Sequence, residues 1–387
     1  MVSEGKLSQT LVDRLGLYGS KFDSLMQMVE SVAELSDPLG IVSYSHDMLV
    51  DGSLSVHRVS CPIGVIAVIF ESRPEAAVQI ASLCIKSGNS VVLKGGKEAH
   101  RTVHALVETM RSVVGDSVQS VESRDEVCSL LKMDKFVDLV IPRGGADLVK
   151  YCKSNTQIPV LGHADGICAV YIHSDAELDM ATRIIVDGKT QYPAVCNATE
   201  TLLIHEEFAK RGLVSVLEAL VAKGVQIRAS PAVCAIVGTH VPVVVATEAD
   251  FKTEFCDLVL AVDVVSGLQA AIEHINTHGS HHTDCIITSS PVAAEEFMEA
   301  IDSADVMWNA STRFADGNRF GFGAEVGVST NKIHARGPVG LAGLTTYKYR
   351  VYGNGHTVGA DGGNLVPIAT EPKNVIRTDS LRRRWGA

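Results

Sequence analysis

The chain has 387 residues, of which 46% are hydrophobic and 20% charged, with a formal net charge of −11. That length and apolar content suit two joined α/β lobes and speak against a disordered chain, while the negative balance speaks against nucleic acid or an anionic membrane surface as the main partner. Nine cysteines with no CxxC pair argue against a disulfide framework and a thiolate zinc site, and point to a reducing, cytoplasmic compartment.

Residues 1–40 read as mostly polar helix, with Leu25, Met26, Met28, Val29 and Val32 forming one apolar stripe that SDPLG ends. The start, MVSEGKLSQT, lacks the apolar core of a signal peptide, and no run of about 18 apolar residues offers a membrane span. Residues 41–60 have the pattern of a hairpin turning at Asp51-Gly52. A strand–helix alternation then begins. Strands are expected at 63–70, 91–93, 118–121, 136–141 and 158–161, with helices at 74–86, up to 114, up to 133, and after Gly145. The first strand is apolar almost throughout, as a strand buried on both faces should be. The second half repeats the style, with strands at 167–173, 201–205, 257–265, 285–288 and 306–308. Helices are expected at 175–191, 206–223, 268–276 and 292–301. Repeated βα units with short Gly-containing loops predict parallel, doubly wound sheets. A late strand at 345–351 can pair with the early hairpin, and 353–387, rich in Gly and polar residues without period, reads as a flexible tail.

The chemistry centres on KTQYPAVCNATET, residues 189–201. Cys196 lies on a polar turn between a helix whose Leu178, Ala181, Ile184 and Ile185 keep helical spacing and an apolar strand. A thiol so placed can be exposed and tuned as a nucleophile; the competing reading is a small buried hydrophobe. Two other loops follow apolar strands and precede helices: Lys94-Gly95-Gly96-Lys97 and Arg143-Gly144-Gly145. Each could face an anion at a sheet's carboxyl edge, or be a plain βα turn. No GxGxxG follows a first strand, and no GxxxxGK[ST] occurs. FESRP (70–74) sets Glu71 and Arg73 at a strand end, and NASTR sets Asn309, Ser311, Thr312 and Arg313 in a polar loop. Both suit substrate contact, and both suit structural pairing. His278, His281 and His282 sit in a polar turn with Asp284 as the nearby carboxylate, and no metal site is expected there.

Together these segments resemble the γ-glutamyl phosphate reductase family of the aldehyde dehydrogenase superfamily. The resemblance runs in order through PIGVIAVIFESRPE, SGNSVVLKGGKEA, DLVIPRGGADL, IPVLGHADGIC, KTQYPAVCNATETLLIH, EHINTHGSHHTDCIIT, NASTRFADG and FGFGAEVGVSTNKIHARGPVGLAGLTTYK, covering nearly all of the chain before the tail. The same domain forms the C-terminal half of bifunctional pyrroline-5-carboxylate synthases, which makes a glutamate 5-kinase a possible partner. The resemblance implies an aldehyde dehydrogenase-like α/β fold of two doubly wound parallel-sheet lobes with a small oligomerisation hairpin. It divides the chain into an NADPH-binding lobe (1–40 and 61–166), an oligomerisation flap (41–60 with 345–352), a catalytic lobe (167–335) and the tail. The family carries further N-terminal helices, so the first lobe is expected to be incomplete here.

The implied reaction is NADPH-dependent reduction of L-glutamyl 5-phosphate to L-glutamate 5-semialdehyde with release of phosphate, in proline biosynthesis. Cys196 falls on the family's nucleophile, with Asn197 beside it. His163, in GHADG, stands where hydrolytic relatives carry a water-activating glutamate. Lys94 matches the lysine on the adenosine side of the dinucleotide. Lys97 stands where NAD-preferring relatives carry an acid and where the reductases commonly carry a small serine; a cation there favours a 2′-phosphate. Glu254 resembles the residue that holds the nicotinamide ribose, and Arg143, Gly144 and Gly145 complete the cofactor set. Arg73 and Arg313 are candidates for the substrate's carboxylate and phosphate. A homodimer or homotetramer is expected. The alternatives are a hydrolytic or CoA-acylating aldehyde dehydrogenase, and a truncated, non-catalytic paralogue.

Overall fold

The computed structural model describes residues 15–361 apart from 50, 51, 72 and 164, together with residues 376–377. After helix Ser20–Glu34 come two strands, β1 (Ile41–Asp47) and β2 (Ser55–Pro62). Then β3 (Val65–Phe70), β4 (Ser90–Lys94), β5 (Val118–Ser120) and β6 (Leu139–Arg143) alternate with helices and form a parallel sheet in the order β5-β4-β3-β6. The run VIAVIF of β3 is apolar throughout because both of its faces are covered. Ile66, Val68 and Phe70 pack with Ile80, Leu83, Val103 and Val107 on one side. Ala67 and Ile69 pack with Val127, Leu130 and Cys152 on the other. Alternation along a single strand therefore feeds two layers.

The second lobe holds seven strands: β7 (Cys168–Ile172), β8 (Thr199–His205), β9 (Gln226–Ala229), β10 (Val243–Val245), β11 (Val259–Val265), β12 (Thr283–Ile287) and β13 (Asp305–Trp308). They form a parallel sheet in the order β10-β9-β11-β8-β7-β12-β13, with β8 at the centre. Here too the strands divide their side chains. Val170, Ile172, Leu202 and Ile204 face one core, and Ala169, Tyr171 and Leu203 face the other. Cys168 pairs with Thr199 and Ala169 with Thr201, so Glu200 is an extra residue in β8, a bulge close to Cys196.

A third sheet is antiparallel. After a two-stranded ribbon of β14 (Val328–Ser329) and β15 (Gly337–Pro338), strand β16 (Thr345–Tyr352) runs along the whole of β2. β2 pairs with β1, and β17 (Ile376–Arg377) lies on the far edge. Asp51, at the expected turn of the hairpin, lies outside the described residues.

Two expectations need correction, and two further stretches need completing. Residues 158–161 form a single bridge, Val160 to Val140, and no strand, because Pro159 has no N–H to extend a ladder. Residues 226–245 carry two short strands and helix Pro231–Val237 that the sequence pattern left unassigned. The catalytic lobe does not run to 335: Ala324, Val326 and Val339 lie in the core of the first lobe, so the chain crosses back earlier. Most of the expected tail lies outside the described residues, but its described parts include the one-turn helix Val358–Asp361 and the paired strand β17.

Candidate active site

The parallel sheets present opposite edges to one another. Loops from the carboxyl ends of β3 and β6 face the segments that lead into β7, β8 and β11, and a cleft of about 530 Å³ lies between them. Cys196 is on its wall. The helix Leu178–Thr190 stops just before Pro193, and a turn over 195–198, closed by the Ala198 amide on the Val195 carbonyl at 2.9 Å, delivers the chain into β8. The thiol at this turn is half-buried, open to the cleft.

Three neighbours fix the turn. A Cβ at Gly166 would lie 2.6 Å from the Cα of Cys196, so the chain before β7 passes this close only as glycine. Cys168 donates its thiol to the Cys196 carbonyl at 3.2 Å, and burial pushes that thiol well above its usual range, so it stays protonated. Behind the turn, Lys189 Nζ meets Glu200 Oε2 at 2.5 Å with both side chains fully buried. The other Glu200 oxygen accepts from the Cys256 amide at 3.2 Å. Burial pushes the Glu200 carboxyl up to about 7 and the Lys189 amine down. This pair ties the helix end, the β8 bulge and the loop bearing Glu254 into one unit.

Two guanidinium groups line the cleft with the thiol. Arg143, at the end of β6, has Glu325 Oε1 at 4.0 Å. Arg313 donates through Nη1 to Asn197 Oδ1 and through Nε to Gln191 Oε1 at 2.9 Å. Asn197 is buried, and its Nδ2 donates to the Ala315 carbonyl at 2.9 Å. Its amide is therefore engaged at both ends and braces Arg313, with one of its two Nδ2 hydrogens on Ala315. His163 Nδ1 lies 2.8 Å from the Val328 carbonyl. A carbonyl only accepts, so Nδ1 carries the proton and Nε2 keeps its lone pair. Burial lowers the His163 pKa, so the ring is neutral at neutral pH.

The predicted residues divide into three groups. Arg73, Arg143, Gly144, Gly145, His163, Cys196, Asn197, Glu254 and Arg313 line one cleft. Lys94, Gly95, Gly96 and Lys97 sit at the end of β4, one strand further along the same sheet edge. Asn309, Ser311 and Thr312 do not reach the cleft. Asn309, with φ 53°, accepts from the Thr288 amide at 3.0 Å and donates to its carbonyl at 2.9 Å. Thr312 is buried against Thr199 at 3.1 Å, and Ser311 Oγ accepts from the Arg313 amide at 3.3 Å. Their polarity serves backbone groups and, for Thr312, the Thr199 hydroxyl, which loop sequences do not distinguish from ligand contact. Sequence reasoning missed Glu325 and the Lys189–Glu200 pair; no spacing rule connects either to the cleft.

The β4 and β6 loops fit an extended dinucleotide. Lys97 is exposed at the sheet edge, and nothing stands within 4 Å of where a Gly145 Cβ would be. A cation and an open glycine turn at strand carboxyl ends are the elements that receive phosphates.

Parallel βα lobes around an interlobe cysteine define an aldehyde dehydrogenase-type oxidoreductase, and residues 20–240 match the model of the aldehyde dehydrogenase family. Within it, the chain belongs to the γ-glutamyl phosphate reductase family, the glutamate-5-semialdehyde dehydrogenases. It is 53% identical over 304 residues to the γ-glutamyl phosphate reductase of Pelotomaculum thermopropionicum, covering 77% of this chain and 69% of that protein. To the enzyme of the same name from Haloquadratum walsbyi it is 49% identical over 371 residues, covering 94% and 81%. The crystal structure of γ-glutamyl phosphate reductase from Thermotoga maritima superposes with a TM-score of 0.88 at 41% identity, over 92% of this chain and 87% of that one.

Proposed function

We propose that this chain reduces L-glutamyl 5-phosphate to L-glutamate 5-semialdehyde with NADPH, releasing phosphate, through a thioester on Cys196. The observation that carries the reading is the half-exposed Cys196 thiol that lines the interlobe cleft with Arg143 and Arg313.

The thiolate is the attacking form of cysteine, and Arg143 and Arg313 line the same cleft as the sulfur. The sulfur attacks the acyl carbon, and the carbon–oxygen bond to the phosphate breaks with its electron pair leaving on phosphate. Arg73 and Arg313 receive the substrate's carboxylate and phosphate, and the Cys196 backbone N–H supports the oxyanion. Asn197 holds Arg313 in place for this task. Lys94, Lys97 and the glycines of the β4 and β6 loops would hold the dinucleotide, with Lys97 for a 2′-phosphate and Glu254 for the nicotinamide ribose. Bound there, NADPH would supply the hydride that reduces the thioester on Cys196 to a thiohemiacetal. Collapse of that adduct returns the thiolate and frees the aldehyde. His163, with Nδ1 on Val328, stands where hydrolytic relatives carry a water-activating glutamate, and the lack of that carboxylate suits a thioester that must not hydrolyse.

The acyl phosphate is made by phosphorylating a carboxylate, so a glutamate 5-kinase is the natural supplier. β16 is the edge of its sheet and leaves Tyr347, Tyr349 and Val351 exposed, a surface suited to a second copy in a homodimer or homotetramer. Among the described residues no helix is long and apolar enough to cross a membrane, and all nine cysteines are free, in keeping with a cytoplasmic enzyme.

The test is the reverse reaction. Glutamate semialdehyde should reduce NADP+ beyond a single turnover only when inorganic phosphate is present, and Cys196→Ser should abolish the rate. Equal rates without phosphate would establish a hydrolytic enzyme instead, and no activity under any condition would favour a non-catalytic role.

A further inference from the structure

We propose that His163, Cys196 and His282 form an inhibitory site for a thiophilic divalent cation, zinc above all. One ring nitrogen of each histidine and the Cys196 sulfur lie within 4.8 Å of one another. The proposal shares Cys196 with the reaction proposed above but depends only on that thiol's position.

His282 carries the argument. Its side chain is fully buried, and its Nε2 has no hydrogen-bond partner among the described residues. Nδ1 lies 2.8 Å from Thr283 Oγ1, whose own proton goes to Asp305 Oδ2 at 3.4 Å. Cys168 Sγ, 3.7 Å from the same Nδ1, gives its proton to the Cys196 carbonyl, so the hydroxyl accepts from Nδ1–H and Nε2 is left with a lone pair and no hydrogen-bond partner among the described residues. A buried acceptor without a partner is costly, and a bound cation would satisfy it. The His163 ring sits edge-on to it, with centroids 4.6 Å apart at 82°, and its Nε2 is likewise free because Nδ1 is committed to Val328. Both imidazoles thus present Nε2 and have Nδ1–H anchored on an oxygen, the arrangement metal-binding histidines adopt.

Zinc bonds of about 2.0 Å to nitrogen and about 2.3 Å to sulfur place ligand atoms roughly 3.3 to 3.6 Å apart. From the 4.8 Å limit the ligand atoms have at most roughly 1.2 to 1.5 Å to close, a distance within reach of side-chain rotation at Cys196 and His163. Two imidazoles and a thiolate select zinc or cobalt over magnesium or calcium, and the cleft supplies the fourth, open position. Two carboxylates, Glu254 and Glu325, line the same cleft and face two guanidinium groups there, Arg143 and Arg313. Cys168 does not compete as a ligand, since its buried thiol is committed to the Cys196 carbonyl. A coordinated thiolate cannot attack a carbonyl, so occupancy switches the enzyme off until the metal is withdrawn.

Titration of the full chain with Co2+ alone, without substrate, tests this. One equivalent should produce a thiolate-to-cobalt charge-transfer band with the strong visible absorption of a four-coordinate site, and Zn2+ should erase both. Cys196→Ser should lose the charge-transfer band. His282→Gln and His163→Gln should each weaken binding at least about tenfold with melting temperature unchanged. No band at one equivalent, a band that survives Cys196→Ser, or unaltered affinity in both histidine variants overturns the site. Should His282→Gln fail to fold, the half-buried His163→Gln decides alone. Phosphate-dependent activity without cobalt binding would remove the metal site and leave the reaction standing. Cobalt binding by a chain with no such activity would do the reverse.

Discussion

Arg313 donates to the side-chain oxygen of Asn197, the residue next to Cys196, while the other end of that amide is held by the Ala315 carbonyl. The brace sets a buried guanidinium beside the thiol. Asn197→Ala should lower kcat/KM for the acyl phosphate by about 10- to 100-fold, the worth of a hydrogen bond to a charged group, with most of the loss in KM. Arg313→Lys should fare no better, because one ammonium cannot serve Asn197 and Gln191 in the fixed fork of a guanidinium. Steady-state kinetics of both variants check this; a wild-type KM in either contradicts it.

Gly166 packs directly on the backbone of Cys196. Gly166→Ala should displace the nucleophile's turn. Activity should fall by about 100-fold, as a misplacement near 1 Å does, and thermal melting should report a loss of about 1–3 kcal/mol. A fully active, equally stable alanine variant would show that the turn has room to move.

Lys97 is exposed at the β4 edge. Lys97→Glu should weaken NADPH far more than NADH, since an acid in that place repels a 2′-phosphate and can accept from ribose hydroxyls. Equal loss of both cofactors would remove Lys97 from the specificity assignment.

Asp284 is a buried carboxyl that accepts from the Ala169 amide at 2.7 Å and from Ser303 Oγ at 2.5 Å, and burial pushes it up to about 7. In the unfolded chain an aspartate titrates near 4, so between about pH 4 and pH 7 the folded state keeps a proton that the unfolded state has lost. Folding stability from this group therefore falls as pH rises through that window, by up to about 4 kcal/mol. Asp284→Asn still accepts from Ala169 and should flatten this part of the curve. Denaturant titrations of both proteins from pH 4.5 to 8 measure it; parallel curves would contradict it.

The parts of the fold written in local pattern were legible. VIAVIF announces a strand covered on both faces, and the helix-then-strand switch around Cys196 marks its turn without any knowledge of the partner lobe. What escaped was non-local. Lys189 and Glu200 are eleven residues apart across that turn, and their pairing depends on a bulge in β8. Ala324 and Val339 look like loop residues because their core belongs to the other lobe. His282 read as part of a polar histidine turn, although its side chain is wholly buried and gathered with His163 and Cys196. Asn309 and Thr312 lie away from the cleft, and polar loop residues that satisfy groups within the protein look the same in sequence as those that hold a ligand.

The central claim is a glutamyl thioester on Cys196. Incubation with glutamate semialdehyde and NADP+ in the absence of phosphate should give a single burst of NADPH equal to the concentration of active sites. Peptide mass mapping of the quenched enzyme should then place one glutamyl group on Cys196, and adding phosphate should discharge it. Phosphate-dependent turnover with no adduct at Cys196, or with the adduct on another residue, would contradict the account.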